Sequence, residues 1–229
     1  MLEFSKVETE ARPAATVILL RIRDAQLQVL LLRRSQELKH MPGIWVFPGG
    51  KVEAGDPGAD ELEKARQAAT RELHEEAGIT LPPEVLIPFS HWLTPTLVKR
   101  RFTTWFFITE VAEDIAVKVD ECEIVDHQWW TPSLAIAAHH RGGLPLTPPT
   151  LVSLHDLQSI EGDRDGLSRL TQRDPPHFFP HVVREGSRTV FLYPGDSAYE
   201  NGDIACPGPR HRTVGEVGIF TYEAPGEAT

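Results

Sequence analysis

The sequence predicts an α/β (α+β) fold with one mixed β-sheet. Short runs of branched apolar residues, which are typical of strands, alternate along the chain with segments rich in strong helix formers. The chain has 229 residues, of which 41% are hydrophobic and 24% charged, as in one globular domain with or without an extension. Because strands and helices are interleaved, we expect parallel as well as antiparallel strand neighbours.

The predicted strands are apolar, rich in branched or aromatic residues, and bounded by turn residues. Residues 16–22 and 27–32 flank the polar turn 24–26, which predicts a hairpin. A second hairpin is predicted at residues 181–192, with its turn at Glu185 and Gly186. The remaining predicted strands are residues 44–47, 97–111 and 123–130. The tail from residue 201 is rich in Gly and Pro and carries no clear pattern.

The longest predicted helix covers residues 59–77, which are rich in Ala, Glu, Leu and Arg. Gly78 follows as a C-terminal cap, and either Asp56 or Asp60 can cap the N-terminus. Shorter helices are predicted at residues 132–140 and 149–157, and the polar residues 163–174 predict a loop with a helical turn. We therefore expect a core domain, residues 1–150, with a C-terminal helix and hairpin extension, residues 151–229, packed on it.

Composition argues against several classes of protein. The net charge of −10 is not that of a nucleic-acid binder, which presents a basic surface. No stretch reaches the ~18 apolar residues of a membrane span, and the N-terminus is too charged for a leader. Cys122 and Cys206 do not have metal-binding spacing and do not suggest a disulfide framework. We expect a cytoplasmic protein with no nucleic-acid or membrane partner, and a homodimer is one assembly that the sequence allows.

Three carboxylates on the predicted helix carry the strongest chemical signal. Glu72, Glu75 and Glu76 lie at i, i+3 and i+4, and therefore on one helical face. The ordinary explanation is a solvated acidic face. Carboxylates this close nevertheless repel one another unless a cation lies between them, and oxygen ligands suit Mg²⁺ or Mn²⁺. Gly49 and Gly50 precede the helix, and a glycine pair lets backbone approach a phosphate closely.

The segment 71–79, RELHEEAGI, resembles the C-terminal half of the Nudix box, G-x5-E-x7-R-E-U-x-E-E-x-G-U, at every fixed position. The resemblance implies a Nudix-like α/β/α sandwich and a hydrolase of nucleoside diphosphate compounds that needs a divalent cation. Carried over by position, it implies that the metal ligands are Glu72, Glu75, Glu76 and Gly50. It also gives Glu72, Glu75 and Arg71 catalytic roles.

The N-terminal half of this box departs from the family pattern. Gly50 and Arg71 are 21 positions apart, whereas the family spacing is fourteen, so seven residues are inserted. Asp56 occupies the position six residues after Gly50 where the family has Glu, and Glu63 lies at the family distance of eight before Arg71. Either carboxylate can pair with Arg71, and the sequence does not choose between them.

Residues 30–50, LLLRRSQELKHMPGIWVFPGG, resemble the signature LL-T-x-R-S-x3-R-x3-G-x3-F-P-G-G of the coenzyme A diphosphatases. Arg34 matches, whereas Lys39 replaces an arginine, which keeps the charge but loses the bidentate fork. The signature implies that Arg34, Lys39 and Gly49 contact the substrate, at its 3′-phosphate or its diphosphate. The inserted box and the segments 91–95, 100–107 and 146–150 are similar to the acyl-coenzyme A diphosphatase branch.

Two further groups are candidates for the site. Glu123 lies six residues before Trp129, where many Nudix chains place a distal catalytic carboxylate, and Glu121 is its neighbour. Residues 99–101, Lys-Arg-Arg, are the densest basic run of the chain. On a strand, Arg100 and Arg101 point to opposite faces, so at most one of them contacts substrate.

The resemblance implies Mg²⁺-dependent hydrolysis, with Mn²⁺ as a substitute, of coenzyme A or acyl-coenzyme A. The products are then 3′,5′-ADP and 4′-phosphopantetheine, free or acylated. A first alternative is the same chemistry on ADP-ribose or another nucleoside diphosphate, which needs no contact to a 3′-phosphate. A second is a non-catalytic binding or regulatory module with this fold. Such modules usually lose a box carboxylate, whereas all three are present here.

Overall fold

The computed structural model describes residues 9–163 and 165–226. Its strands are β1 Arg12–Arg23, β2 Gln26–Arg34, β3 Trp45–Val46, β4 Gly49–Lys51, β5 Ile87–Leu93, β6 Phe102–Glu110, β7 Ile124–Trp130, β8 His177–Phe178, β9 His181–Glu185, β10 Arg188–Leu192, β11 Arg212–Glu216 and β12 Ile219–Glu223. Its α-helices are α1 Glu61–Ala77, α2 Pro132–His140, α3 Pro148–Gln158 and α4 Gly166–Gln172. The predicted fold class, a mixed α/β architecture, is confirmed.

The main sheet is mixed and has the strand order β3-β2-β1-β6-β5-β8, with β4 paired to β1 and β7 to β2. β1 and β2 form the predicted hairpin, whose turn places Asp24 and Ala25 at φ 50° and 60°. Two successive positive φ values are the signature of a type I′ turn, which matches the twist of the strands. β6 runs parallel to β1, so the opposite edge of β1 is divided between β4 and β2.

Both faces of the main sheet are buried, which explains why its central strands are apolar at nearly every position. Along β1, Val17 and Leu19 pack beneath α1 together with Ala68 and Leu73. Ile18 and its alternate neighbours point to the other face, where residues of α2 and α3 cover them. The helices thus lie on both faces of the sheet, as in the predicted α/β/α sandwich.

Residues beyond 150 share the core of the main sheet. β8 pairs with β5 in a parallel register, and Phe178 on β8 stacks on Trp92 with ring centroids 3.9 Å apart. Strands β9 to β12 form a separate antiparallel sheet in the order β12-β11-β10-β9. Tyr193 and Tyr222 from this region join the same hydrophobic cluster as Ile18. The boundary drawn at residue 150 falls inside α3.

Three local predictions differ from the structure. The strand predicted at 97–111 was wrong for its first five residues, since β6 begins at Phe102 after a turn in which the Val98 N–H donates to the Pro95 carbonyl. The patternless tail contains the hairpin β11–β12, which turns at Val217 and Gly218, both at positive φ. Residues 163–174 contain helix α4. No helix within the described ranges is long and apolar enough to cross a membrane.

Candidate active site

Helix α1 presents the candidate carboxylates, and its ends are fixed by its own sequence. Asp60 is the N-cap, and its side chain accepts the N–H of Glu63 at 2.8 Å. Gly78 ends the helix at φ 67°, and its N–H donates to the His74 carbonyl. The face toward the sheet carries mainly alanines and Leu73, all buried. Small residues there let the helix lie close to β1 and β4.

Gly49 and Glu76 join the glycine loop to α1. The Gly49 N–H donates to Oε2 of the buried Glu76 carboxylate at 2.8 Å. Gly49 has φ 156°, and a Cβ at this position would lie 2.4 Å from the Ala15 carbonyl oxygen of β1. Only glycine therefore permits this approach of the loop to both the strand and the helix.

Gly50 and Glu72 form a second close contact between the same elements. A Cβ on Gly50 would lie 2.2 Å from Oε1 of Glu72, so the carboxylate occupies the space that a side chain would need. The loop is anchored from behind by Thr16 on β1, whose hydroxyl donates to the Pro48 carbonyl at 2.6 Å. The two glycines thus bring backbone groups within reach of two carboxylates.

Arg71 connects the loop to the carboxylates. Its Nε and Nη2 donate to the two oxygens of Asp56 at 3.0 and 3.2 Å, and Nη2 also donates to the Lys51 carbonyl. Its Nη1 donates to Glu72 at 2.9 Å and to Glu75 at 3.2 Å. Hydrogen bonding to Asp56, the largest effect, raises the pKa of Arg71 above its ordinary value. The guanidinium therefore stays charged and holds two carboxylates in place.

Burial and mutual repulsion disfavour the ionised forms of Glu72 and Glu76. Burial raises the pKa of Glu76 to about 8, and the charges of Glu72 and Glu123 add to this effect, while the Gly49 N–H and Arg34 oppose it. Burial likewise raises the pKa of Glu72, with Glu75 and Glu123 contributing repulsion. A bound divalent cation would relieve this repulsion, so the donor set fits one.

The present side-chain arrangement is not itself a coordination sphere. In the described ranges, no three His, Cys, Asp or Glu side chains converge closely enough to hold a metal ion. The reason is visible in the contacts, because Arg71 draws Glu72 and Glu75 toward itself while Glu76 accepts from Gly49. Small side-chain rotations are required to bring these oxygens together.

Arg34 and Glu123 form an ion pair, and the charges of both residues act on Glu76. Arg34, at the end of β2, places Nη2 4.0 Å from Oε2 of Glu123 and has a side chain that is only 18% exposed. Its Nε is buried and has no hydrogen-bond partner among the described residues. The Ser35 N–H donates to the Glu123 carbonyl at 2.8 Å, which ties this segment to β2.

The three other predicted cationic contacts differ in burial. Lys39 and Arg100 are exposed. Arg101 is buried, and its guanidinium donates to the carbonyls of Thr94 at 3.1 Å and Thr9 at 2.7 Å. These bonds hold the two ends of the β5–β6 connection together and attach it to the segment that precedes β1.

A sequence profile described as the NUDIX domain matches residues 11–148, which is more than half of the chain. The chain belongs to the Nudix hydrolase family. It is 27% identical to nudix hydrolase 7 of Caenorhabditis elegans over 85% of this chain and 76% of that protein. It is 31% identical to the human acyl-coenzyme A diphosphatase NUDT19 over 77% of this chain, but it spans only 48% of that relative.

Solved structures show the same fold. A NUDIX hydrolase from Alicyclobacillus acidocaldarius superposes with a TM-score of 0.60 and 21% identity, over 66% of this chain and 92% of that one. The activity follows from family membership and not from this likeness of fold. As a Nudix hydrolase, the chain acts on nucleoside-diphosphate-linked substrates, and members of the family generally need a divalent cation.

In this Nudix hydrolase, the structure of the inserted box shows which carboxylate pairs with Arg71. Asp56 is the partner of Arg71, whereas Glu63 accepts the N–H of Ala59 and belongs to the capping of α1. Sequence reasoning missed Thr16, which anchors the glycine loop, and Asp120, which accepts the N–H of Glu123. An aspartate three residues before a candidate catalytic acid was the available signal for Asp120.

Proposed function

We propose that this chain hydrolyses the diphosphate of coenzyme A or acyl-coenzyme A, with Mg²⁺ as the cation and Mn²⁺ as a substitute. The products are 3′,5′-ADP and 4′-phosphopantetheine, free or acylated. One observation carries the hydrolytic part, namely that Glu72 and Glu76 are held against Gly49 and Gly50 while the charge of Arg34 acts on Glu76. Backbone, carboxylates and a cationic side chain are the groups that a cation-bound diphosphate requires.

Glu72, Glu76, the Gly50 backbone and, once released by Arg71, Glu75 would hold the cation. When bound, it neutralises phosphate charge and makes water more acidic. Glu72 or Glu123 takes the proton of the attacking water, whose oxygen bonds to one phosphorus as the bridging P–O bond breaks. Arg34 pairs with the diphosphate oxygens, while Arg71 and Asp56 fix the loop. Catalysis then rests mostly on positioning and charge.

The coenzyme A assignment has separate support. Residues 30–50 resemble the coenzyme A diphosphatase signature, and the human relative at 31% identity is named an acyl-coenzyme A diphosphatase. Of the three other predicted cationic contacts, Lys39, Arg100 and Arg101, we assign the first two to the 3′-phosphate. Of these, Lys39 and Arg100 are exposed, whereas the backbone carbonyls that hold Arg101 favour a structural role.

The remaining expectations stay proposals. We propose one domain made of the core, residues 1–150, and the extension, residues 151–229, because aromatic side chains of both parts share one cluster. The two cysteines are free, which agrees with a reducing compartment such as the cytoplasm. We keep a homodimer and the absence of nucleic-acid and membrane partners as expectations of the acidic composition.

A substrate screen with Mg²⁺ tests the proposal. We expect turnover of coenzyme A and acyl-coenzyme A to exceed that of ADP-ribose and NADH, and to fall at least ~100-fold in Glu76→Gln and Glu75→Gln. A preference for ADP-ribose would assign the same chemistry to the alternative substrate. Equal rates on coenzyme A and dephospho-coenzyme A would exclude a 3′-phosphate contact. Unchanged Mg²⁺-dependent turnover in both variants would exclude Glu75 and Glu76 as the metal ligands. No turnover of any substrate by the wild type would leave only the non-catalytic module.

A further inference from the structure

Residues 118–124 bridge the two halves of the candidate site. At one end, the Lys118 N–H donates to the carbonyl of Ala77, the last residue of α1, at 2.9 Å. At the other end, the Glu123 carbonyl accepts the Ser35 N–H directly after β2. The segment therefore connects the helix that carries Glu72 and Glu76 to the strand that carries Arg34, and Glu123 lies at its second end.

The side chain of Asp120 shapes this bridge. Its Oδ2 accepts the N–H of Glu123 and its Oδ1 accepts the N–H of Ile124, both at 2.8 Å. The Glu121 N–H closes the turn on the Ile124 carbonyl at 3.0 Å, and Glu121 has φ 62°. A non-glycine residue in this region is strained, so the turn needs bonds that hold it. Hydrogen bonds that a carboxylate accepts from backbone N–H groups are among the stronger hydrogen bonds in proteins.

The carboxylate of Glu123 depends on this turn for its position. Its side chain is 63% exposed and, among the described residues, forms one ion pair, with Arg34 at 4.0 Å. Side-chain packing therefore does little to hold it, and the backbone at residue 123 determines where the carboxylate reaches. Its charge nevertheless acts on both Glu72 and Glu76.

We propose that Asp120 is a positioning residue, which fixes the backbone at Glu123 so that the Glu123 carboxylate stands beside Glu72, Glu76 and Arg34. This inference rests on the proposed function, in which Glu123 serves the hydrolysis. Asp120 is assigned to positioning because both of its oxygens accept backbone N–H groups of this turn. Without it, the turn can relax, and a displacement of the acid by about 1 Å can cost ~100-fold in rate.

A double-mutant cycle tests this role. We expect Asp120→Ala to lower kcat about 10–100-fold with a smaller change in KM. In the Glu123→Gln background, the same substitution should cause no further loss. Asp120→Asn should recover part of the activity, since its amide oxygen still accepts one N–H. Asp203→Ala is the matched control, because Asp203 caps a similar turn at the Ala205 N–H in the extension.

Amide hydrogen exchange provides a readout that is independent of turnover. Exchange at Glu123 and Ile124 should accelerate in Asp120→Ala and stay unchanged in Asp203→Ala. Unaltered exchange, full activity of Asp120→Ala, or an equal loss in both backgrounds would overturn the positioning role. Full activity of Glu123→Gln would also overturn it while leaving Mg²⁺-dependent hydrolysis intact. An inactive wild-type protein on every diphosphate substrate would instead refute the proposed function, and this inference with it.

Discussion

Arg71 and Asp56 form a bidentate ion pair that holds the inserted loop against helix α1. Nε and Nη2 of the guanidinium each donate to a different oxygen of the carboxylate, at 3.0 and 3.2 Å. Asp56 is nearly inaccessible, with a side chain that is 6% exposed. Burial alone would raise the pKa of Asp56, but the hydrogen bonds from Arg71 and the Glu53 N–H lower it below its ordinary value. The pair therefore remains ionised and orients Arg71 toward Glu72 and Glu75.

Removing Asp56 should damage both stability and activity. We expect Asp56→Ala to lower the free energy of unfolding by about 1–3 kcal/mol, because Arg71 and the Glu53 N–H lose a buried acceptor. Activity should fall as well, since Arg71 is then free to move and to draw Glu72 away from Gly50. Urea unfolding followed by circular dichroism measures the first effect, and Mg²⁺-dependent turnover measures the second.

Glu63→Ala is the matched control for this prediction. Glu63 lies at the family spacing before Arg71, but within the described ranges its side chain accepts only the N–H of Ala59, just before α1. Its loss should cost about 1 kcal/mol or less and leave turnover unaltered. The reverse ranking of the two variants would mean that Glu63, and not Asp56, supports Arg71 in solution.

The sequence predicted the elements of the site better than their contacts. The acidic helix, its Gly78 cap and the first hairpin follow from local patterns, namely helical spacing, a glycine at the helix end and two apolar runs around a polar turn. The choice between Asp56 and Glu63 depends on how an inserted loop closes, which is a long-range property that no local pattern encodes. The burial of Arg101 was equally hidden, because its partners are backbone carbonyls of Thr9 and Thr94.

The raised pKa of Glu76 predicts how stability varies with pH. The carboxylate has a pKa of about 8 in the folded protein and an ordinary value of 4.5. Between these values the unfolded chain releases the proton while the folded protein retains it, so stability falls as pH rises through this window. In EDTA, Glu76→Gln should therefore be more stable than the wild type at pH 8 by roughly 2–4 kcal/mol, and not at pH 4.

Mg²⁺ should reverse this ranking at pH 8, because it binds the ionised carboxylate and stabilises the folded wild type alone. Thermal unfolding with and without Mg²⁺ measures both effects. Glu75→Gln serves as the control in EDTA, since its side chain is 56% exposed and its replacement should give no comparable gain. A wild type as stable at pH 8 as at pH 6 in EDTA would show that Glu76 ionises without strain.

Gly50 should tolerate no side chain. In Gly50→Ala, the new Cβ would lie 2.2 Å from Oε1 of Glu72, so the carboxylate must swing away from the loop. We expect turnover to fall more than ~10-fold, because a ligand displaced by about 1 Å no longer serves the same cation. Gly55→Ala is the control, as a Cβ there meets nothing within 4 Å. Equal turnover in the two variants would show that Glu72 has room to adjust.

Arg34 should act on the diphosphate and not on the 3′-phosphate. Its guanidinium lies 4.0 Å from Glu123 and its charge acts on Glu76. In the proposed function these acids serve the scissile linkage, so we expect Arg34 to bind there. Arg34→Met, which keeps most of the volume but removes the charge, should therefore lower kcat/KM on coenzyme A and dephospho-coenzyme A by similar factors, about 10–100-fold. Lys39→Met is the comparison, because Lys39 is exposed and a contact from it to the 3′-phosphate would affect coenzyme A alone. A loss in Arg34→Met on coenzyme A alone would contradict this prediction. It would mean that Arg34 contacts the 3′-phosphate, and that the cation and the glycine loop bind the diphosphate.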